Sequence, residues 1–480
     1  MGEILKDFAL KFNGSIRLEA REERLTAEAG ALLLREVDER LGLSRWLAER
    51  LEDPRAPERI THPLVELLRT HLLLLGQGWR DQDDADELRQ DAALKLAVSE
   101  RKSTGPVQQQ QQGAPQGLAS QPTLSRTTGI LASEHNLQVL SEGMAWATGR
   151  RLRAKQPGGR KLKQVTMDVD SLPVEVHGEQ PGSAYNGHYH TRIYHPLVAL
   201  LAETGDILDV QLREGQVHTA NAALAFIEPV LTRVERYVSQ KVALRMDAGF
   251  PEDTLLSYLE QRGTPYVARV RNTSVLKDEA AIPRFMHLGL PQGEPKTYFY
   301  EWQYQAQCWS RPRRAVLVLQ QVEGELFPNA FWLVTSWTAE QMSAEDLLEH
   351  YRQRGTAEAH MGELMDVLAP ALSSAPRPKR HYRGKLPVER TVSVDSFAHN
   401  QVRLLLNALA YNLVHATRAL LEDSTGEGFS LLRVRQRVLK VASRLLVHSR
   451  RVILVIGQQA AGYWRALWHT LRSFDAALVT

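Results

Sequence analysis

The chain has 480 residues, with 59 Lys and Arg against 56 Asp and Glu, a formal net charge of +3, and one cysteine. That length allows roughly two to four domains with well-buried cores, and the near balance of charge leaves any nucleic-acid contact to local basic patches. Cys308 alone excludes an intramolecular disulfide or a multi-thiolate metal site and fits a reducing cytosol, and no apolar run reaches the length of a membrane span.

In chain order, residues 25–150 read mainly as helix. Residues 64–76 are leucine-rich, 82–98 form a polar helical pattern, and a short glutamine run at 108–112 followed by Gly and Pro reads as a linker. Residues 131–152 form a second helical block. The N-terminus lacks the long apolar stretch of a signal peptide. From residue 164 strands and helices alternate. Val165, Met167 and Val169 point one way from the first strand, and Thr166, Asp168 and Asp170 the other. Strands follow at 195–202, 207–213, 242–247 and 265–270. A helix at 221–238 carries Pro229, and Pro251 opens another. This order predicts an α/β core of mixed strand direction, antiparallel hairpins first and parallel crossovers after. Residues 273–330, rich in aromatics, read as a β-rich insertion. A strand at 331–335 and a helix at 344–368 resume the core, and the remaining residues read as helical, with 397–421 the clearest helix.

Three carboxylates stand out. Asp170 and Asp247 each end an apolar strand, and Glu358 lies on the helix that follows the insertion. Hard oxygen ligands on rigid elements suit a pair of magnesium ions, the usual equipment for phosphodiester chemistry. Asp168 lies on the same strand face as Asp170, roughly 6.6 Å away, and competes with it as first ligand. At ~100° per residue, Tyr351, Arg354, Glu358 and Met365 share a helical stripe about 60° wide. Arg354 is placed to contact a phosphate and Tyr351 to hydrogen-bond or stack on DNA. Taken singly, an aspartate at a strand end caps a turn, and an Arg–Glu pair decorates a solvated helix; their conjunction points to a site. A basic loop at 377–385, including Lys379, Arg380 and Arg383, follows the helix and suits a DNA backbone. Histidines 177, 188, 190 and 195 lack a nearby Cys and read as a loop beside the site rather than as zinc ligands. In that loop Tyr185, Asn186 and Tyr189 are expected to touch DNA.

The order Asp, Asp, then Tyr351-x2-Arg354-x3-Glu358 resembles the DDE transposases of bacterial insertion sequences, and more narrowly insertion sequence family 1380. Supporting stretches are Asp81–Arg89, Leu118–Arg126, Tyr185-Asn186-Gly187-His188-Tyr189-His190 and Met246-Asp247-Ala248-Gly249-Phe250, so the resemblance spans nearly the whole chain. It implies an RNase H-like catalytic core with a β-rich insertion, flanked by helical N- and C-terminal regions. The divisions expected are 1–155 for a DNA-binding domain, 160–272 and 331–395 for the two parts of the core, 273–330 for the insertion and 396–480 for the C-terminal region. It also implies two Mg2+ ions, replaceable by Mn2+, on Asp170, Asp247 and Glu358. Two departures stand: Met365 occupies the place of a signature lysine, and Asp170 is followed by Ser171 and Leu172, where the family carries its hydroxyl residue two positions on.

The reaction expected is metal-assisted attack of water at a transposon end, followed by attack of the freed 3′-OH on a second phosphodiester. The resemblance places that second attack on the opposite strand, giving a hairpin before target capture. Terminal inverted repeats and target DNA are the expected partners, gripped by a homodimer, in a cytoplasmic, nucleoid-associated protein without a membrane. A nuclease with the same core but no strand transfer, and an inactive or domesticated DNA-binding regulator, are the rivals.

Overall fold

The computed structural model describes residues 3–4, 11–13, 15–16, 19–20, 22–108, 117–176, 180–187, 189–290, 294–373 and 396–479. Its centre is an eight-stranded mixed sheet. The strands are β1 (Leu162–Ser171), β2 (Leu197–Leu201), β3 (Ile207–Gln211), β4 (Ser239–Met246), β5 (Tyr266–Val270), β6 (Thr297–Tyr304), β7 (Arg313–Gln320) and β8 (Asn329–Thr335). Across the sheet they run β6-β7-β8-β5-β4-β1-β2-β3. β1, β4 and β5 are mutually parallel, and every other pairing is antiparallel. Hairpins therefore precede crossovers, as the order of elements predicts.

The alternation along β1 is used as expected. Val165, Met167 and Val169 pack with Leu244 and Met246 of β4 beneath the helices Ala223–Tyr237 and Asp253–Arg262. On the opposite face, Leu200 of β2 and Val210 of β3 join a large core with the long helix Ser396–Thr425. That helix also closes the β3 edge of the sheet. Asn412 accepts from the Ile207 N–H at 2.9 Å and donates to its carbonyl at 2.7 Å, and Gln401 donates to the Val210 carbonyl at 3.0 Å. Side-chain amides thus stand in for a missing neighbouring strand.

Several elements differ from the sequence reading. Residues 273–330 begin with a helix, Ser274–Met286, and their strands β6 and β7 extend the central sheet through β8. Helix Asp253–Arg262 starts two residues after Pro251, with Glu252 as its cap. Residues 82–98 divide into Asp84–Glu87, Leu88–Gln90 and Ala92–Val98. The C-terminal region contains a hairpin, Ser443–His448 with Arg451–Ile456, which pairs with Leu25–Thr26. Apolar side chains on both faces of that hairpin hide its period of two. The N-terminal helices Gly30–Leu41, Leu64–Gln77 and Glu134–Arg153 share one apolar core with Ser396–Thr425. Chain ends far apart in sequence close on each other because neither set of helices buries its apolar face alone.

A buried polar network crosses these layers. Asp206, in the β2–β3 turn, pairs with Arg151 of the N-terminal helices and lies 3.7 Å from His415 of the long helix. Arg418 reaches His415 at 2.6 Å and Glu363 at 2.6 Å, and Glu363 accepts the Leu431 N–H at 2.9 Å. The His360 ring lies where a Cβ on Gly205 would sit, and Gly205 holds φ at +81° in the same turn. Burial pushes the Glu363 carboxyl up, but hydrogen bonds from His360 and the Leu431 N–H, with the Arg418 charge, outweigh it and hold it at about 2. Its contribution to stability is therefore present above its ordinary value of 4.5 and lost as pH falls towards 2. Glu363→Gln should flatten the acid limb of a stability–pH profile between those values, as read by urea titrations at successive pH.

Candidate active site

The pairing of β1 with β4 sets the site. Their parallel register places Arg245 beside Asp168 and Met246 beside Val169. One step further, the end of β4 brings Asp247 alongside Asp170. Arg245 grips Asp168 with two hydrogen bonds, Nε to Oδ1 at 2.5 Å and Nη2 to Oδ2 at 2.7 Å, and also donates to the His350 carbonyl. Asp168 and Arg245 are each 1% exposed. Asp168 is thus committed to a buried ion pair, and Asp170, two residues on, reaches the sheet's rim.

A cavity of about 720 Å³ opens there, lined by Asp170, Asp247 and Glu358 together with Tyr189, His195, His218, Arg271 and Met361. The three carboxylates singled out in the sequence share this cavity. Burial pushes the Asp170 carboxyl up to about 6; Arg354 works against that rise and the neighbouring charge of Asp247 adds to it. Asp247 Oδ1 accepts the Gly249 N–H at 2.7 Å, so the turn-capping role and a place in the cavity coexist.

Arg354 stands between two of the carboxylates. It pairs with Asp170, and its Nη2 lies 3.0 Å from Glu358 Oε1. Among the described residues no three acidic, His or Cys side chains lie close enough together to hold one metal ion. The donor set still suits a hard divalent ion, because two aspartates side by side supply oxygen ligands and mutual repulsion that a cation relieves. Glu358, with a side chain 59% exposed, sits on the wall, paired with Arg354.

The helix carrying this residue pair is not continuous. It runs Ala344–Arg352, breaks at Gln353, resumes at Arg354–Glu363 and loosens to π winding over Leu364–Leu368. Tyr351 is half-buried beside Ala243 and Leu348, and its hydroxyl is pushed up by burial, against the effect of the nearby Arg354. Met361 and Gly362 line the cavity, whereas Met365 packs against the large helical core. The stripe drawn through Met365 assumed even winding, which the break and the π segment remove. Lys379, Arg380 and Arg383 lie outside the described residues, as do His177 and His188. His195 lines the cavity wall, and its Nδ1 donates to the Val217 carbonyl at 3.1 Å.

A model of the transposase DDE domain group 1 family matches residues 8–375 and 379–476. The chain belongs to this family. No curated protein matches its sequence. Among solved structures it is similar to the piggyBac transposase in a cryo-EM structure of its synaptic complex with hairpin DNA, at 11% identity and a TM-score of 0.37, over 93% of this chain and 81% of that one. Membership makes this a transposase domain of the DDE class, and no helix among the described residues is long and apolar enough to cross a membrane.

Sequence reading missed Arg245, Arg213, His218 and Arg271. Arg245 had a signal: it interrupts an apolar strand on the face that Asp168 occupies. The other three depend on loop conformation and had none. Removing Asp168 while leaving Arg245 buried should cost about 3–5 kcal/mol of stability. Asp168→Ala should therefore unfold at markedly lower urea, whereas Asp170→Asn at the rim should change the midpoint far less.

Proposed function

We propose that this DDE transposase is encoded by an insertion sequence of family 1380, binds the terminal inverted repeats of its element, and cuts and rejoins DNA at the Asp170–Asp247–Glu358 cavity. The observation that carries this reading is the register of β1 against β4, which sets Asp170 and Asp247 side by side in a chain of this family. The strand order β3-β2-β1-β4-β5, antiparallel then parallel, supports an RNase H-like core. The N-terminal helices are proposed to read the repeats, with the basic loop containing Lys379, Arg380 and Arg383 along the backbone, and two copies are proposed to act together.

Asp170 and Asp247 are the residues that would hold a divalent ion, Mg2+ or Mn2+, with Glu358 joining from the helix. Such an ion, when bound, supplies the Lewis acid that activates attacking water and stabilises the leaving 3′ oxygen. The chain's own part is charge and placement. Arg354 neutralises Asp170 and Glu358 before substrate arrives, and a phosphate offers it a stronger charge-assisted acceptor. Releasing the carboxylates and gripping the DNA thus become one movement of one guanidinium. Tyr351, packed beside it, limits where that guanidinium can go. Asp168 takes no part in binding metal, because Arg245 occupies both of its oxygens.

Asp170→Asn, Asp247→Asn and Glu358→Gln should each abolish cleavage of the element's terminal DNA in Mg2+ while leaving gel-shift affinity for that DNA within a few-fold. Cleavage that survives any of these changes removes that residue from the site. Ends that are cut but never joined to a target would favour the nuclease reading, and intact binding with no cleavage by the unaltered protein would favour the regulator.

A further inference from the structure

Part of the cavity wall is built by a loop at 212–222 and by the residue after β5. Arg213 is buried, with no carboxylate partner among the described residues, and burial pushes its guanidinium down to about 10. Its Nη1 is spent on the loop. Nη1 donates to the carbonyls of His218 at 3.2 Å, Thr219 at 2.9 Å and Asn221 at 2.9 Å, and Nε to that of His195 at 2.9 Å. The loop is also wedged between the two aspartate-bearing strand ends. A Cβ on Gly249 would meet the Thr219 side chain at 2.8 Å, and Thr219 Oγ1 lies 3.5 Å from Ser171 Oγ. A buried charge devoted to loop carbonyls fixes a conformation. What that conformation presents to the cavity is His218.

Against His218 rests Arg271, the first residue after β5, on the strand next to the one that ends at Asp247. Its Nη2 lies 2.9 Å from His218 Nε2, while the Ala220 N–H points at His218 Nδ1 from 3.3 Å. Both ring nitrogens thus face donors. A neutral imidazole accepts at one nitrogen only, and a protonated one at neither. The ring therefore accepts at most one of these two donors, and among the described residues Arg271 forms no ion pair. An exposed guanidinium resting on an imidazole that a second donor also approaches, beside a cavity with three carboxylates, is placed to bind an anion. Its planar donors match a phosphate better than an imidazole.

We propose that Arg271 is a phosphate-binding residue for the DNA strand in the cavity. It is seated on His218 before DNA arrives and transfers to a backbone phosphate flanking the bond that is cut. The proposal rests on the transposase reading above. It gives the cavity a second cation besides Arg354, at the end of the strand next to the one that carries Asp247. It also assigns the Arg213-held loop the task of keeping Arg271 in reach.

The test is steady-state cleavage of a duplex carrying the element's terminal DNA in Mg2+, with binding followed in Ca2+ across a salt series. Arg271→Gln should raise KM by roughly 10-fold or more, as loss of a charged hydrogen bond does, with kcat reduced less. It should also make the log–log salt dependence of binding shallower by about 0.9, the effect of one duplex phosphate contact. Arg271→Lys should restore part of both. His218→Leu, which removes only the seat, should keep the salt slope of the unaltered protein. Arg271 is exposed, so unchanged thermal unfolding of the Gln variant will show that it folds. If the unaltered protein cleaves and Arg271→Gln matches it in KM and salt slope, the proposal is overturned. If the unaltered protein neither binds nor cleaves its terminal DNA, the transposase reading fails instead, and this proposal with it.

Discussion

The register between two parallel strands governs this protein's centre. With β1 and β4 aligned so that Arg245 sits beside Asp168, one buried ion pair is satisfied and the next pair of positions brings two aspartates together. A slip of one residue would turn the whole apolar set of β4 to the wrong face and leave Arg245 in the hydrophobic layer. The apolar contacts of Met167, Val169, Leu244 and Met246 and the Arg245–Asp168 pair therefore enforce the same alignment from opposite faces of the sheet. The repulsion between Asp170 and Asp247 is a cost carried by those contacts; burial is the main cause of the raised Asp170 carboxyl, and the Asp247 charge adds to it.

The remainder of the chain holds Glu358 near that pair. The helix carrying it is anchored at its far end by Glu363, through Arg418 and the Leu431 N–H, and by His360 against Gly205. Through Asp206 and Arg151 the same network reaches the N-terminal helices. Buried ionic groups of this kind are weak sources of net stability but have few alternative pairings, so they constrain which layers meet. The break at Gln353 and the π winding after Glu363 bound a 10-residue piece, just under three turns, bearing Arg354 and Glu358. A short segment between two irregularities, with an exposed glutamate, is suited to the small shift by which Glu358 would leave Arg354.

The cations around the cavity differ in their partners. Arg354 is paired to Asp170 and Glu358, whereas Arg271, at the end of the strand next to Asp247, rests on the His218 ring. The first cation must exchange partners, and the second has no ion pair among the described residues to give up. Net charge over the whole chain is near balance, and the distribution around this one cavity is what matters for a polyanionic substrate.

What the sequence determined by itself was the local part. Alternation along β1 and the apolar strands before Asp170 and Asp247 were legible because a period of two is a property of neighbouring residues. The spacing of Tyr351, Arg354 and Glu358 was legible because one helix segment nearly preserves it. Family membership was legible from motifs distributed along the chain, and the family match agrees with it. The sequence favoured Asp170 over Asp168 for its place nearer the strand's open end, but the feature that separates their surroundings, Arg245 on the partner strand, was not legible. The same holds for Met365, whose place depends on winding that no spacing rule records, and for the hairpin near residue 450, whose faces are both apolar. Arg213, His218 and Arg271 enter the cavity wall only through a loop folded on long-range contacts. Tertiary structure decided these points because each depends on a neighbour distant in sequence, and a pattern along one strand or helix carries no information about what packs across from it.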